Sequence, residues 1–293
     1  MASHHHHDHT QLDWEELAPL LEQGAEINTP ALDQAIAWLR DDLLGSERAA
    51  AIGQVWDVGS GPGVAACRLA QAFPAAEVLA VDGEDALLRR ARARAMRLGI
   101  GYRLRTHTAD LPGGLCGAGT AELIWTSKTV HHMGDQRAAL ASLAERLRPG
   151  GLLAVAEGGL PTRRLPRDIG IGRPGLEARL DAVMEDWFAA MRGALPETAD
   201  TVEDWPAMLR AAGLGHVRSR TFLLDLPAPA DARVRAHLHA ELTRFHEVLG
   251  DRLDAEDLTT LGRLLDPDDE AGLLRRPDVF LLSAQTVHTA VRP

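Results

Sequence analysis

The chain has 293 residues, of which 45% are hydrophobic and 25% charged, a balance typical of a globular protein. Its formal net charge of −11 argues against binding to a phosphate backbone, which needs clustered Lys and Arg. No apolar run approaches the roughly 18 residues that span a bilayer, and the N-terminus lacks the apolar core of a signal peptide. We therefore expect a cytoplasmic protein with a small-molecule partner and no nucleic-acid or membrane partner.

The cysteine and histidine positions predict no metal site. Cys67 falls on the apolar stripe of a predicted helix, where a buried thiol is expected. Cys116 has no Cys or His neighbour at metal-ligand spacing. The histidine cluster near the N-terminus is either a native tail or part of an expression tag. Residues 1–10 are therefore predicted to be a disordered tail outside the fold.

Residues 11–48 are predicted to form an N-terminal helical cap. Apolar residues recur at helical spacing in two runs, from Leu12 to Leu21 and from Leu32 to Leu43. Pro30 suits the first turn of the second helix, because its missing N–H has no helical partner there. Gly45 marks the end of the segment.

Residues 49–160 alternate short apolar runs with helical patterns. The predicted strands are 54–58, 77–81, 102–108, 122–127 and 152–156, and the predicted helices are 64–73, 84–98 and 136–147. Strands that alternate with helices of 10 to 15 residues indicate a parallel sheet with helices on both faces. The expected fold class is a Rossmann-like, doubly wound α/β fold.

The second half of the chain interrupts and then resumes this pattern. Residues 161–200 are predicted to be a helical insertion, with a loop at 161–175 and a helix at 176–192. The core continues through 201–228, with a helix at 202–213 and a strand at 216–226. A second helical insertion at 229–274 precedes 275–293, which holds the final core strand.

The run VWDVGSGPG at 55–63 joins the first strand to the first core helix. Gly59, Gly61 and Gly63 let the backbone approach a ligand closely and adopt dihedral angles barred to other residues. The N–H groups at the start of the next helix point towards whatever occupies the turn. The pattern predicts a ligand-binding turn, and a glycine-rich turn without a ligand is the structural alternative.

Asp82 ends the second predicted strand, about 20 residues after the glycine-rich turn. In nucleotide-binding βαβ units an acidic side chain at this place hydrogen-bonds the ribose hydroxyls. The alternative is that Asp82 or Asp85 caps the helix at 84–98.

Five segments in this order resemble the class I S-adenosylmethionine-dependent methyltransferases, and most closely the branch with the ubiquinone and menaquinone methyltransferases. They are VWDVGSGPG, AVDGEDALLRRARARA, HTADLP, ELIWTSKTVHHMGD and LRPGGLLAVAE. The resemblance covers residues 50–157 well, and 202–226 and 277–292 more loosely. It implies a bacterial enzyme with S-adenosylmethionine as cofactor and S-adenosylhomocysteine as product.

The same resemblance implies a set of cofactor contacts at the ends of the first four strands. The implied residues are Asp57, Gly59, Ser60, Gly61 and Gly63 at the methionine moiety, Asp82 and Gly83 at the ribose, Asp110 and Leu111 at the adenine, and the carbonyls of Thr126 and Ser127 at the amino group. The family usually has several residues between the aspartate and the Leu-Pro pair. A helix cap is therefore the alternative role of Asp110.

A nicotinamide dehydrogenase is the main rival for such a fold. Dinucleotide binders need G-x-G-x-x-G, which places the pyrophosphate on the helix N-terminus. Here the third glycine is Gly63, one residue early, and Val64 occupies the expected position. S-adenosylmethionine carries no phosphate, so the observed G-x-G-x-G spacing favours a methyltransferase.

His131 and His132 follow the fourth strand, at the edge where open α/β sheets bind ligands. Either imidazole is a candidate general base for the acceptor, and the alternative is that both only pack the loop. Lys128 is a candidate for binding an anionic substrate group, with a solvated side chain as the alternative. Glu157 follows the fifth strand and is a second candidate substrate contact.

The predicted function is transfer of a methyl group to a small-molecule acceptor whose nucleophile is O, N or C. This enzyme needs no metal, and a monomer or homodimer is expected. Two alternatives stay open, namely a methyltransferase-like protein that binds the cofactor without transfer and a Rossmann-fold oxidoreductase. Replacing Asp82 with Ala is expected to weaken cofactor binding while thermal stability hardly changes.

Overall fold

The computed structural model describes residues 14–111, 113–115 and 117–293. The predicted tail at 1–10, Leu12 and Cys116 lie outside these residues. Seven strands form one sheet: β1 Gln54–Val58, β2 Glu77–Asp82, β3 Leu104–Thr108, β4 Ala121–Ser127, β5 Leu147–Arg163, β6 Gly215–Leu226 and β7 Leu281–Val291. Their order is β3-β2-β1-β4-β5-β7-β6, and β7 alone runs antiparallel to its neighbours. The predicted mostly parallel α/β fold is confirmed.

Ten α-helices surround this sheet within the described residues. They are α1 Trp14–Ile27, α2 Thr29–Ala37, α3 Ser46–Ala51, α4 Val64–Ala72, α5 Asp85–Arg97, α6 Gln136–Arg146, α7 Leu176–Gly193, α8 Trp205–Ala211, α9 Ala232–Leu249 and α10 Ala255–Leu265. A π-helical stretch, Trp38–Leu44, continues α2 up to Gly45, whose φ of 74° ends it. Pro30 lies in the first turn of α2, as predicted.

Alternate residues of each core strand pack into two hydrophobic cores, one on each face, because successive side chains point to opposite faces of a sheet. Val55 and Leu123 pack with α2, α4 and α5, whereas Trp56 and Ile124 pack with α6 and α8. Cys67 is buried in the first of these cores, as expected. Both faces of the sheet are therefore covered, as a parallel sheet requires.

Two elements differ from the sequence prediction. The short helix α3 was not predicted, because six residues are too few to show a periodic pattern. Strand β5 runs to Arg163, into the predicted loop, because Gly159, Leu160 and Arg163 pair with β7. Long-range pairing therefore converted this glycine- and proline-rich stretch into strand.

The helices that follow β5 and β6 are joined to one another and to the N-terminal cap. Helix α7 follows β5, and α9 and α10 lie between β6 and β7. Buried Asp257 of α10 accepts hydrogen bonds from Arg173 and from Arg179 of α7. Arg233 of α9 pairs with Glu26 of α1. None of the helices in the described ranges is long and apolar enough to span a membrane.

Candidate active site

The glycine-rich turn after β1 is tied to the neighbouring strand. The N–H groups of Gly59 and Ser60 both donate to the carbonyl of Val81, at 2.8 and 2.9 Å. Gly59, Gly61 and Gly63 have φ values of 74°, 51° and 76°. Side chains other than glycine rarely adopt this left-handed region, so the backbone itself requires glycine at these positions.

The three glycines differ in which atoms occupy the space where a side chain would be. A Cβ at Gly59 would collide with the side chain of Thr129, and a Cβ at Gly63 would lie 2.8 Å from Cα of Ala91 in α5. Only a Cβ at Gly61 would enter open space, with no heavy atom within 4 Å. Gly59 and Gly63 therefore make room for protein atoms, which differs from the expectation that all three make room for a ligand. Gly61 leaves the space for one.

Two carboxyl groups lie beneath this turn. Asp57 is 1% exposed, accepts the N–H of Ala66, and has an Oδ2 without a hydrogen-bond partner among the described residues. Burial, together with the charge of Asp82, raises the pKa of Asp57 to about 7. A buried carboxyl with an unused oxygen favours a ligand that brings a donor or a positive charge.

Asp82 supports the turn directly. Its Oδ2 accepts the N–H of Gly61 at 2.8 Å, and its Oδ1 accepts the N–H of Glu84 at 3.0 Å. Burial raises the pKa of this carboxyl. Both sequence interpretations therefore meet in one residue, since Asp82 binds the N-terminal backbone of α5 and lies against the open space at Gly61.

The residues after β3 lie beside those after β2. The N–H of Ala109 donates to the carbonyl of Asp82 at 3.0 Å, and Oδ1 of Asp110 lies 3.5 Å from where a Cβ on Gly83 would be. Leu111 lines a small apolar cavity of the same edge. The other lining residues are Val58, Leu115, Thr126, Thr129, Val130, Met133, Ala139 and Leu143. The structure thus brings the implied adenine and ribose residues together.

The end of β4 is held by its neighbours in the sheet. The hydroxyl of Ser127 accepts a hydrogen bond from Nε2 of Gln285 at 3.1 Å. The side chain of Thr126 is fully buried, and its Oγ1 has no partner among the described residues. Lys128 then adopts a φ of 51°. Gln285, 158 residues away, had no local sequence signal and was missed.

Glu157 organises the loop that carries the histidines. Its Oε1 accepts the N–H groups of Thr129 and Val130, both at 2.9 Å, and of His131 at 3.4 Å. Its Oε2 lies 2.7 Å from Nδ1 of His131. Glu157 is 3% exposed. The expectation that it contacts the substrate therefore differs from its observed place, because both oxygens are already bound within the chain.

The two imidazoles form a short chain that leads away from Glu157. Nε2 of His131 lies 3.0 Å from Nε2 of His132. Because a carboxylate only accepts, Nδ1 of His131 carries a proton. Desolvation of His132, with the charges of His131 and Arg192, lowers its pKa to about 4, against the opposing effect of Glu157. His132 is therefore neutral at neutral pH.

Comparison with known proteins agrees with this geometry. A family model described as a methyltransferase domain matches residues 55–151. These residues hold the glycine-rich turn, Asp82, Asp110 and the histidine pair. Residues 55–151 therefore match a methyltransferase domain, as the resemblance in the sequence predicts.

Two curated relatives of this methyltransferase domain are trans-aconitate 2-methyltransferases. The protein from Methylobacterium radiotolerans is 32% identical over 164 residues, which cover 51% of this chain and 58% of the relative. The protein from Methylobacterium nodulans is 29% identical over 222 residues, 70% of this chain and 83% of the relative. Across the first three relatives, the chain spans 36–58% of their lengths.

The solved structures that this chain matches include one at low sequence identity. It is described as a methyltransferase from Geobacter sulfurreducens in complex with S-adenosyl-L-homocysteine. Its TM-score is 0.43 at 18% identity, and the match covers 80% of this chain and 84% of that one.

The cradle of the methyltransferase domain fits the cofactor that its class uses. The open space at Gly61 admits a ligand, and Oγ of Ser60 and Oδ2 of Asp57 are buried polar atoms without a partner in the described part of the chain. S-adenosylmethionine carries an ammonium group and ribose hydroxyls, which are donors for such oxygens. No group of three or more His, Cys, Asp or Glu side chains suited to a metal occurs in the described ranges.

Proposed function

We propose that the chain transfers a methyl group from S-adenosylmethionine to a small-molecule acceptor. One observation carries this proposal: the glycine-rich turn and the histidine loop touch through Gly59 and Thr129. His131 comes two residues after Thr129, so a candidate base lies beside the candidate cofactor cradle. The sulfonium of the bound cofactor supplies an electrophilic methyl group. The protein then has to hold the acceptor in line and remove a proton where one is present.

The residues for holding the cofactor are those of the cradle. Gly61 would leave space for the methionine moiety, and the unused oxygens of Asp57 and Ser60 would accept hydrogen bonds from its polar groups. Asp82 accepts from the ribose hydroxyls in addition to its backbone donors, since each carboxylate oxygen has two lone pairs. Asp110 and Leu111 serve the adenine.

Glu157, His131 and His132 supply the route for a proton. With Nδ1 of His131 protonated and bound to Glu157, its Nε2 accepts the proton that Nε2 of His132 donates. Nδ1 of His132 then holds a lone pair and accepts the acceptor's proton. As that proton arrives, the shared proton moves to His131, and Glu157 stabilises the imidazolium. The logic is that of an oriented base in acyl-transfer triads.

The relatives' names suggest an acceptor that carries carboxylates. Lys128, the only lysine of the chain, lies between β4 and the histidines. Lys128 and Arg164 both lower the pKa of Glu241 in α9, as does the hydrogen bond from His237, against the effect of burial. Both cations therefore lie near enough to α9 to act on Glu241, and we assign Lys128 to an anionic group of the acceptor. The solvated side chain is the alternative.

Hydroxyl acceptors and carboxylate acceptors predict different dependences of turnover on pH. A hydroxyl acceptor needs the histidine base, whereas a carboxylate is already deprotonated when it attacks the methyl group. Purified protein should be incubated with labelled cofactor and a panel that includes trans-aconitate, simple carboxylic acids and hydroxylated analogues. Lys128→Met should raise KM for carboxylates, and Arg167→Gln, in an exposed part of the following loop, is the control.

Mass spectrometry of the purified protein separates the broader alternatives. Retained S-adenosylmethionine or S-adenosylhomocysteine supports the cofactor assignment, and NAD contradicts it. Binding without turnover of any acceptor in the panel supports the non-catalytic alternative. We also propose a cytoplasmic monomer or homodimer in which the cap at 11–48 and the insertions at 161–200 and 229–274 enclose the acceptor.

A further inference from the structure

Helix α7 contacts the histidine loop at two points one helical turn apart. The ring of Phe188 meets the ring of His131 edge-on, with centroids 5.4 Å apart and an interplanar angle of 68°. Nη1 of Arg192 donates to the carbonyl of His131 and, at 3.3 Å, to the carbonyl of Met133. One residue therefore holds the imidazole of His131, and the other holds the backbone on either side of His132.

The chain that follows α7 continues along the same loop. The N–H of Ala199 donates to the carbonyl of Gly134 at 3.3 Å. A Cβ on Gly134 would collide with the carbonyl of Pro196 and would lie 3.0 Å from the carbonyl carbon of Glu197. The histidine loop is thus enclosed between Glu157 on the sheet side and residues 188–199 on the other side.

We propose that Phe188 and Arg192 are positioning residues for methyl transfer, through which helix α7 sets the orientation of the His131–His132 pair. This inference rests on the proposed function, in which the pair accepts the acceptor's proton. Glu157 accepts hydrogen bonds from the backbone N–H groups of the histidine loop and from Nδ1 of His131. The backbone carbonyls of the loop therefore need a different partner, one that donates. Arg192 is that donor, and a guanidinium bonds two carbonyls through one rigid group.

The charge of Arg192 adds an electrostatic effect to this geometry. The titratable groups that act on His132 are His131 of its own loop, Glu157 of β5 and Arg192 of α7. Glu157 favours the protonated imidazole, whereas His131 and Arg192 disfavour it. Loss of the guanidinium should therefore raise the pKa of His132, and a merely structural role of Arg192 would not require this.

The test compares Arg192→Gln, Arg192→Lys and Phe188→Leu with Arg210→Gln, which removes an exposed arginine from the last turn of α8. Imidazole titration is followed by NMR in the ligand-free protein, with the His132 signal identified by its loss in His132→Ala. We expect Arg192→Gln to raise the pKa of His132, and Arg192→Lys to leave it close to the wild-type value. Arg210→Gln should change nothing.

Turnover gives the second measurement. Arg192→Gln and Phe188→Leu should lower kcat by about 10²-fold, as a small misplacement of a catalytic group does, with cofactor Kd unchanged. An unchanged His132 titration in Arg192→Gln, with full kcat in both folded variants, overturns the proposal. Full kcat in His131→Ala or His132→Ala instead contradicts the proposed base and, with it, the positioning role. Loss of kcat in those two variants with full kcat in Arg192→Gln and Phe188→Leu contradicts the positioning role alone.

Discussion

At the scale of single residues, the site places acidic groups where burial disfavours their charge. Asp57 and Asp82 both have raised pKa values, and burial is the first cause in each case. Ionisation of a buried carboxyl destabilises the folded state unless a ligand compensates it. Perturbed pKa values of this kind are common at functional sites, which supports the proposal that both carboxyl groups bind the cofactor.

Asp57→Asn should make the protein more stable at alkaline pH and weaken its binding of the cofactor. The pKa of Asp57 is about 7 when folded, above its ordinary value of 3.8. Its contribution to stability is therefore complete below pH 3.8 and is lost as pH rises through 7. Between pH 5 and pH 8 the wild type should lose about 2–3 kcal/mol more than Asp57→Asn. Denaturant titrations at both values check this, with exposed Asp251→Asn as control.

Asp82→Ala should weaken cofactor binding at least tenfold, because hydrogen bonds to a charged group contribute about 1.5–3 kcal/mol each. The sequence alone predicts that thermal stability hardly changes, and the structure changes this part of the expectation. Without Asp82 the N–H groups of Gly61 and Glu84 lose their acceptor, so thermal stability should fall as well. Calorimetric titration and thermal unfolding measure the two effects. Undiminished cofactor affinity would remove Asp82 from the site.

At the scale of elements, the turn after β1 and the loop after β4 pack against each other, so the conformation of each depends on the other. Gly59 lacks a side chain because Thr129 fills that volume, and Thr129 belongs to the loop that Glu157 anchors. The cradle and the histidine pair are thereby joined in one packed unit at the carboxyl edge. Ligands of open α/β sheets bind at this edge.

Gly61→Ala should abolish cofactor binding while the fold survives. Its φ of 51° disfavours a Cβ by about 1–2 kcal/mol, and the added methyl group enters the open space of the cradle. Gly99→Ala is the control, since Gly99 has a φ of 71° and open space where the added Cβ would lie but is outside the site, after the end of α5. We expect both variants to lose some thermal stability. Only Gly61→Ala should lose cofactor binding. Normal binding by Gly61→Ala would show that the turn is not the cofactor site.

Glu157→Gln should lower kcat by about 10²–10⁴-fold for an acceptor that loses a proton. The amide no longer stabilises the imidazolium of His131, and it bonds the loop less strongly. Cofactor affinity should stay nearly constant. Turnover across pH, with exposed Glu247→Gln of α9 as control, measures the effect. Equal turnover of Glu157→Gln and the wild type on a hydroxyl acceptor would exclude the proton route.

At the scale of the whole molecule, ion pairs connect the cap, the core and the second insertion. Arg94 of α5 binds Glu22 and Glu26 of α1, and Arg233 of α9 binds Glu26 as well. Gly24 of α1 lies against the buried imidazole of His237, where a Cβ would be 2.9 Å from Cε1. The cap is therefore packed closely against both α5 of the core and α9 of the second insertion.

Gly24→Ala should separate α1 from α9 and raise the acceptor's KM. The added Cβ has to displace the His237 ring, whose Nε2 lies 3.4 Å from Oε1 of Glu241, the carboxyl group on which Lys128 acts. Cofactor Kd should change little, because the cradle lies between β1, β2 and β4. Steady-state kinetics and cofactor titration distinguish the two effects, with Gly262→Ala, at an exposed helical glycine of α10 with open space around it, as control. A loss of cofactor affinity equal to the loss of acceptor affinity would contradict this division of the site.

The amino-acid sequence by itself determined the local features of this protein. Periodicity placed the core strands and helices, and the glycine spacing marked the turn, because each depends on residues only a few positions apart. The resemblance to a methyltransferase placed Asp82, Asp110 and the histidines at one edge of the sheet. Tertiary structure alone decided their partners.

Glu157 bonds His131 across 26 residues, Arg192 reaches His131 across 61, and Gln285 reaches Ser127 across 158. Strand β5 likewise extends to Arg163 only because β7 pairs with it. No local pattern encodes such contacts, since they arise when distant segments pack over one edge. The carboxyl group of Glu157 bonds the histidine loop because folding brings four donors of that loop to it, and its expected contact with a substrate stays a prediction.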